Sequence, residues 1–246
     1  MQEHNPEEGM EKSEVAGLGE ICLEDLNPEL KTACARAGRG ADGVRLIAVT
    51  KFVDIARIAE AVKAGVTEVG ENRVQDLKEK LNFFEQQGLT THFIGQLQTN
   101  KIKYICGTVD TVQSVDRLPL AQALSARAVD LGCVQDVMIQ VNIGEEAQKG
   151  GITGDDLGCF MRQITALDGI RVLGLMCVPP ALEPEAVRPY YVQMRKHLCQ
   201  LMESFPDQPI RELSMGMSHD FEVAIEEGAT IVRIGTGVFG TRRTSA

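Results

Sequence analysis

Short apolar runs alternate with amphipathic stretches along most of the chain, and this alternation limits the possible folds more than any other feature. Each run has the length and the branched apolar residues of a buried strand, and each is followed by a stretch with helical periodicity. Eight such units in a chain of 246 residues are typical of a (β/α)8 barrel, also called a TIM barrel. The predicted strands cover residues 45–50, 68–70, 91–95, 111–115, 136–143, 171–178, 212–215 and 231–235.

The helical stretches carry their own start and stop signals. In DIARIAEAVKAG, residues 54–65, the side chains of Ile55, Ile58, Ala59 and Val62 share one face, and Gly65 ends the helix. Residues 117–132 repeat this plan, with a proline in the first turn and a glycine at the end. A first helix is predicted over about residues 18–36, before the glycines of AGRGADG.

These patterns predict one barrel domain over residues 18–246 and a disordered tail over residues 1–17. The alternative is an open doubly wound sheet, which usually carries G-x-G-x-x-G after its first strand. No such motif follows residues 45–50, and no linker indicates a second domain.

The charge of the chain argues against two classes of partner. Its formal net charge is -10, whereas nucleic acids and anionic membranes attract clustered lysine and arginine. No apolar stretch approaches the roughly 18 residues that a membrane span needs. The first residues, MQEHNPEEGMEKSE, lack the basic and apolar regions of a signal peptide. We therefore predict a cytoplasmic protein without nucleic-acid or membrane partners.

The cysteines and histidines do not form a metal-binding pattern. The seven cysteines are irregularly spaced and include no C-x-x-C, which is typical of free thiols in a reducing compartment. The four histidines form no H-E-x-x-H motif, so no metal site is predicted. His92 is interpreted as a structural histidine. His219 is a poor candidate for a base paired with Asp220, because adjacent residues on a turn rarely face each other.

The first predicted strand ends on a lysine, in RLIAVTKF at residues 45–52. In a (β/α)8 barrel the carboxyl ends of the strands form the active face, so Lys51 is predicted to lie at the mouth. One interpretation is a solvated strand end, as for most surface lysines. The other is a nucleophilic amine that forms a Schiff base with an aldehyde or ketone.

Several other residues fall at predicted strand ends and are candidates for the same site. Period-two alternation places Arg233 on the face of Ile231 and Gly235, which is predicted to be the barrel interior because a charge would not suit the helix-facing side. The full set is Glu71, Asn72, Gly95, Asn142, Met176, Ser214, Gly216, Arg233 and Gly235.

The segment IGTGVFGTR, which follows the eighth predicted strand, is typical of a phosphate site. Gly235, Gly237 and Gly240 allow backbone N–H groups to approach an anion, and Ser218 in the preceding MGMSHD loop adds a hydroxyl. The loops after strands seven and eight form the usual phosphate site of this architecture. The alternative is that the glycines only close the barrel. Together with Lys51, a phosphate site would indicate a phosphorylated carbonyl compound as ligand.

Several motifs resemble those of one family, the pyridoxal phosphate homeostasis proteins. They are AVTK, VGENRVQD, HFIGQLQTNK, GLMCVPP, LSMGMSHDFEVAI and VRIGTGVFGTR, and they extend from about Leu46 to Arg242. The resemblance implies a single barrel similar to the N-terminal domain of alanine racemase. It departs in the loop after strand five, where Ala147-Gln148-Lys149 replaces a Ser-Lys pair.

The resemblance also implies a cofactor and its ligands. Pyridoxal 5'-phosphate (PLP) would form a Schiff base with Lys51, and Arg233 would lie near the pyridine nitrogen. Asn72 would lie near the cofactor. The phosphate would be held by Ser214, Ser218, Gly235 and Thr236.

For function, the resemblance implies control of the free cofactor level without robust catalysis. PLP-dependent enzymes would then be the possible transient recipients. One alternative is a racemase-like PLP enzyme, but Arg233 beside the pyridine nitrogen would weaken the electron sink, and none of the tyrosines falls at a predicted strand end as a second acid or base. The other alternative is a class I aldolase, which the position of Lys51 on the first strand disfavours.

Overall fold

Eight parallel strands form a closed barrel in the computed structural model, which describes residues 23–146 and 148–240. Each strand pairs with its neighbour in the chain, and the last pairs with the first through Ile47 opposite Arg233. The strands are β1 Arg45–Val49, β2 Glu68–Glu71, β3 Thr90–Phe93, β4 Thr111–Val115, β5 Gln135–Val141, β6 Ile170–Cys177, β7 Glu212–Ser214 and β8 Ile231–Ile234.

Helices connect the strands and surround the barrel. They are α1 Leu23–Arg36, α2 Ile55–Lys63, α3 Val74–Gln86, α4 Leu118–Asp130, α5 Leu157–Ile164, α6 Pro184–Ser204, α7 Phe221–Glu226 and α8 Thr236–Phe239, with 3₁₀ helices at Ala41–Gly43 and Thr99–Tyr104. The barrel prediction is confirmed, and each strand end lies within two residues of its predicted position. The predicted tail, residues 1–17, and the predicted start of the first helix lie outside the described residues. No helix in the described ranges is long and apolar enough to cross a membrane.

The second helix shows how the local sequence sets an element. Asp54 caps α2 by accepting a hydrogen bond from the backbone N–H of Arg57 at 2.8 Å, and Gly65 follows the helix with a φ of 110°. The face that carries Ile55 and Ile58 is only partly buried, because Ile55 is 41% exposed in the first turn. Ile58 and Ala61 are the buried apolar residues of this helix.

Two apolar clusters stabilise the barrel, one outside and one inside the strands. Val232 and Ile234 belong to the large cluster between strands and helices, whereas Ile231 lies in the small interior cluster. This alternation confirms that Arg233 points into the barrel. The interior cluster consists of Ile47, Met138, Met176 and Ile231.

Candidate functional site

Lys51 lies at the mouth of the barrel, in the turn that follows β1. Its side chain is exposed, and the next residue, Phe52, adopts a φ of 60°. Non-glycine residues rarely adopt this left-handed conformation, and such strain is typical of functional turns that the surrounding structure holds in place. The predicted position of Lys51 at a strand end is therefore confirmed.

A buried ion pair holds the backbone immediately before Lys51. Lys80 Nζ of α3 lies 2.7 Å from Glu71 Oε1 and donates a hydrogen bond of 2.7 Å to the carbonyl of Thr50. The Thr50 hydroxyl donates to the same Glu71 oxygen at 2.7 Å. The Glu71 side chain is fully buried, and that of Lys80 is 8% exposed. The sequence places Glu71 among the candidates at the mouth, but its carboxylate turns outward and binds Thr50 and Lys80 instead.

A pocket brings Lys51 together with the loop after β8. It has a volume of about 120 Å³, and its lining includes Lys51, Gly235 and Thr236. Lys51 and Gly235 line the same pocket because β1 and β8 are neighbours in the closed barrel. The amine and the predicted phosphate loop therefore share one cavity.

The backbone that joins β8 to the first turn of α8, called the β8–α8 loop below, already coordinates one oxygen atom. The N–H groups of Gly235 and Gly237 donate to Ser218 Oγ at 3.3 Å and 3.1 Å. Converging N–H groups of this kind form the type of concavity that binds phosphate oxygens. Ser218 comes from the loop after β7, so the two predicted phosphate loops do meet.

Arg233 is buried inside the barrel and has no carboxylate partner among the described residues. Its side chain donates to Ser214 Oγ at 2.6 Å and to the carbonyl of Cys177 at 2.7 Å. Burial lowers the pKa of Arg233, whose guanidinium nevertheless stays charged because arginine pKa values lie above 12. Burial also raises the pKa of the Cys177 thiol to about 12, so this neighbour is neutral and supplies no counter-ion.

A chain of hydrogen bonds leads from Arg233 through the barrel interior. Ser214 Oγ donates to Gln113 Oε1 at 2.7 Å, Gln113 Nε2 lies 3.3 Å from His92 Nδ1, and His92 Nε2 lies 3.0 Å from Glu68 Oε2. Arginine can only donate, so Ser214 Oγ accepts from Arg233 and donates its own proton to Gln113. Gln113 then donates through Nε2, and His92 Nδ1 must accept. His92 consequently carries its proton on Nε2, toward Glu68. This pairing agrees with the structural role predicted for His92.

The chain of hydrogen bonds gives Ser214 surroundings different from those of the other predicted phosphate ligands. Its hydroxyl is fully buried and accepts from Arg233 while it donates to Gln113. The hydroxyl of Ser218, by contrast, faces the N–H groups of the β8–α8 loop. Sequence reasoning missed Gln113, although a glutamine in a strand that is otherwise apolar or small was a usable signal.

Asn72 follows β2 and has an unsatisfied polar atom. Its Oδ1 is buried without a hydrogen-bond partner among the described residues. Its backbone is packed tightly, because a Cβ on Gly95 would lie 1.9 Å from the Asn72 carbonyl oxygen. Gly95 is thus needed for close contact between the ends of β2 and β3. A buried amide without a partner is available to a ligand.

The remaining candidates have structural partners. Asn142 Nδ2 donates to the carbonyls of Glu146 and Lys149 at 3.0 Å and 3.2 Å, and so closes the loop after β5. Lys149 Nζ in turn lies 2.8 Å from Glu146 Oε1, and Ala147 lies outside the described residues. Met176 packs in the interior cluster, and Gly216 has a φ of 91° in the loop after β7.

A tyrosine and an aspartate support the loop after β7 from outside. Tyr191 of α6 donates to Asp220 Oδ2 at 2.8 Å, and burial is the main cause that raises the pKa of this phenol. Asp220 Oδ1 accepts from the backbone N–H of Met217 at 2.6 Å. The side chain of His219 is 66% exposed and lies 3.7 Å from Glu183, so the expectation that it does not pair with Asp220 is confirmed.

Comparisons with known proteins place the chain among close relatives. The family model for the alanine racemase N-terminal domain matches residues 21–243. A pyridoxal phosphate homeostasis protein from Aquifex aeolicus is 46% identical over 215 residues, which cover 87% of this chain and 94% of the relative.

Two solved structures are also similar. A protein from Bifidobacterium adolescentis has a TM-score of 0.83 at 37% identity, with 88% of this chain and 92% of that chain covered. PipY from Synechococcus elongatus, solved with PLP bound, has a TM-score of 0.75 at 33% identity, with 86% and 100% covered.

Proposed function

The chain belongs to the family of pyridoxal phosphate homeostasis proteins, and on this basis we propose that it binds PLP through Lys51 and helps to control the level of the free cofactor. We infer that residues 18–246 form one PLP-binding domain. We also propose a cytoplasmic location, which the six free cysteines among the described residues support.

The observation that carries this proposal is the 120 Å³ pocket that Lys51 shares with Gly235 and Thr236. A ligand held there needs an electrophile for the amine and an anion for the loop. PLP has both, an aldehyde and a phosphate. When bound, the cofactor offers its aldehyde carbon, and the Lys51 amine condenses with it to a Schiff base with release of one water.

The predicted phosphate end fits the residues that are present. The N–H groups of Gly235 and Gly237 and the hydroxyl of Ser218 lie together, and Thr236 lines the pocket beside them. We propose that Ser218, Gly235 and Thr236 bind the phosphate. Charge-assisted hydrogen bonds of this kind contribute roughly 1.5–3 kcal/mol each.

At the other end of the cofactor we propose that Arg233 faces the pyridine nitrogen and that Asn72 contacts the ring substituents. Ser214 then acts on the cofactor through Arg233, because its hydroxyl binds the guanidinium at 2.6 Å. This role differs from the phosphate contact that the family resemblance implies for Ser214. The buried, unpartnered Oδ1 of Asn72 supports a ligand contact there.

The same geometry supports a binding protein more than an amino-acid enzyme. A permanent cation at the pyridine nitrogen disfavours its protonation and so weakens the electron sink that carbanion chemistry needs. Racemisation also needs a second acid or base, and none of the described tyrosines lines the pocket of Lys51. Tyr191 is buried against Asp220. We therefore propose that the protein holds the cofactor and passes it to PLP-dependent enzymes without sustained turnover.

Titration with PLP under visible absorbance tests the binding site. Wild-type protein should develop one equivalent of the absorbance typical of a Schiff base, and Lys51→Ala should not. Lys63→Ala is the matched control, because Lys63 is an exposed lysine at the end of α2. Equal absorbance in Lys51→Ala and wild type would refute the assignment.

Two further assays test the proposed role. Loaded protein incubated with an apo PLP enzyme should restore that enzyme's activity as its own absorbance falls. With a panel of amino acids it should give no sustained racemisation, decarboxylation or transamination. Turnover of about 1 per second, the low end of ordinary enzymes, would favour the racemase-like alternative.

A further inference from the structure

A second cleft, separate from the pocket of Lys51, opens between α3 and the 3₁₀ helix that follows β3. It has a volume of about 410 Å³ and shares no lining residue with the Lys51 pocket. Clefts of roughly 300–1,000 Å³ are typical of small-molecule sites. The residues that matter for its chemistry are Arg73, Gln96, Gln98, Lys78 and Lys101, and Asn72, the proposed cofactor contact, also lines it.

The charge of this cleft has one sign. Arg73, Lys78 and Lys101 line it, and none of its lining residues is an aspartate or glutamate. Yet the chain as a whole has 35 acidic and 25 basic residues. These three cations form no ion pair with a carboxylate of the described residues, whereas Arg188 pairs with three glutamates. Gathering unpaired like charges is unfavourable unless an anion neutralises them.

Further lysines surround the ring of Tyr104, another residue that lines the cleft. Lys78 Nζ and Lys103 Nζ lie 4.7 Å and 4.9 Å from the centre of its ring. Lys103 lowers the pKa of the Tyr104 phenol most, and Lys78 and Lys101 lower it further. Three ammonium groups from two different elements are thus close enough to act on one ring.

The cleft also contains neutral hydrogen-bonding groups without partners. The side chains of Gln96 and Gln98 are exposed and form no hydrogen bond with another described residue. A ligand with several oxygen atoms can accept hydrogen bonds from the Nε2 groups of these two glutamines and neutralise the cations at once.

We propose that this cleft binds a small polyanion of the phosphate or phosphate-ester class at a site distinct from the cofactor pocket. At least three cations line a concave surface, which fits a compact ligand with two or more negative charges. Arg73 also lies 5.9 Å from the ring centre of Phe52, the residue after Lys51. An anion in the cleft would therefore lie beside the turn that carries the lysine.

Calorimetric titration with inorganic pyrophosphate at low ionic strength tests this proposal. Wild-type protein should bind it, and the double variant Lys78→Ala/Lys101→Ala should bind at least about tenfold more weakly, since charge-assisted hydrogen bonds are lost. Lys63→Ala, which removes an exposed lysine at the end of another helix, should bind as wild type does. Equal binding by the double variant, or an equal loss in Lys63→Ala, would overturn the proposal.

Ser218→Ala separates this site from the proposed cofactor pocket. Pyrophosphate binding in the cleft should not depend on Ser218. A loss of pyrophosphate binding in Ser218→Ala alone would place the anion at the β8–α8 loop and refute the proposed cleft site. Lys51→Ala should likewise retain pyrophosphate binding, whether or not PLP binds at Lys51. Ultraviolet titration of the Tyr104 phenol tests the site without a lysine variant. In wild type, pyrophosphate should neutralise the nearby lysines and so move the titration of Tyr104 to higher pH. This shift should be missing in Tyr104→Phe.

Discussion

The ion pair between Lys80 and Glu71 should be one of the most sensitive points of this structure. Replacing Lys80 by methionine preserves the unbranched apolar stem and the helix propensity of the side chain but leaves the buried Glu71 carboxylate without its cation. Breaking a buried ion pair on one side typically costs about 3–5 kcal/mol. Glu71 keeps the Thr50 hydroxyl at 2.7 Å, so we expect a loss near the lower end of that range, about 3 kcal/mol.

Urea unfolding measures this loss as a shift of the midpoint at constant slope. Lys78→Met is the matched control, because Lys78 is exposed on the same helix and should change stability by less than about 0.5 kcal/mol. The double variant Glu71→Gln/Lys80→Met removes both charges and should be more stable than Lys80→Met alone. A loss below about 1 kcal/mol in Lys80→Met, or a double variant no better than that single variant, would refute the reasoning.

Three further predictions concern the site. Ser214→Ala removes an acceptor of the buried Arg233 guanidinium and leaves a buried donor unsatisfied. PLP affinity measured by absorbance should therefore fall about tenfold, while the circular dichroism spectrum should stay that of the folded protein. Unchanged affinity would contradict the role of Ser214. Gly95→Ala should be destabilised by several kcal/mol in thermal unfolding, because the new Cβ would lie 1.9 Å from the Asn72 carbonyl oxygen. The control Gly158→Ala has open space around the new Cβ and a helical backbone, so it should unfold no earlier than wild type. Pyridoxal, which lacks the phosphate, should bind at least about a hundredfold more weakly than PLP in parallel titrations, and equal affinities would exclude the proposed phosphate loop.

The barrel and the two ends of its main site were predictable because their signals are local. Lys51 ends an apolar run, and Gly235 and Gly237 follow another, so each appears within a few residues of sequence. Strand alternation likewise placed Arg233 inside. The closed order of strands then brings residues from opposite ends of the chain together.

The support around the site was not predictable, because it depends on contacts between distant residues. Ser214 and Gln113 are 101 positions apart and meet only across the interior of the barrel. Lys80 is 30 positions from Thr50, and in sequence it resembles any solvated lysine on an amphipathic helix. Likewise, the sequence pattern places Ile55 on the apolar face of α2, but it does not show that this residue of the first turn is exposed.

Reduction with borohydride followed by peptide mapping tests the central claim most directly. Hydride fixes a Schiff base as a stable amine, so the labelled peptide identifies the lysine that holds the cofactor. Protein loaded with PLP and reduced should carry one pyridoxyl phosphate group, on the peptide that contains Lys51. Label found mainly on another lysine, or no label at saturating PLP, would contradict the account.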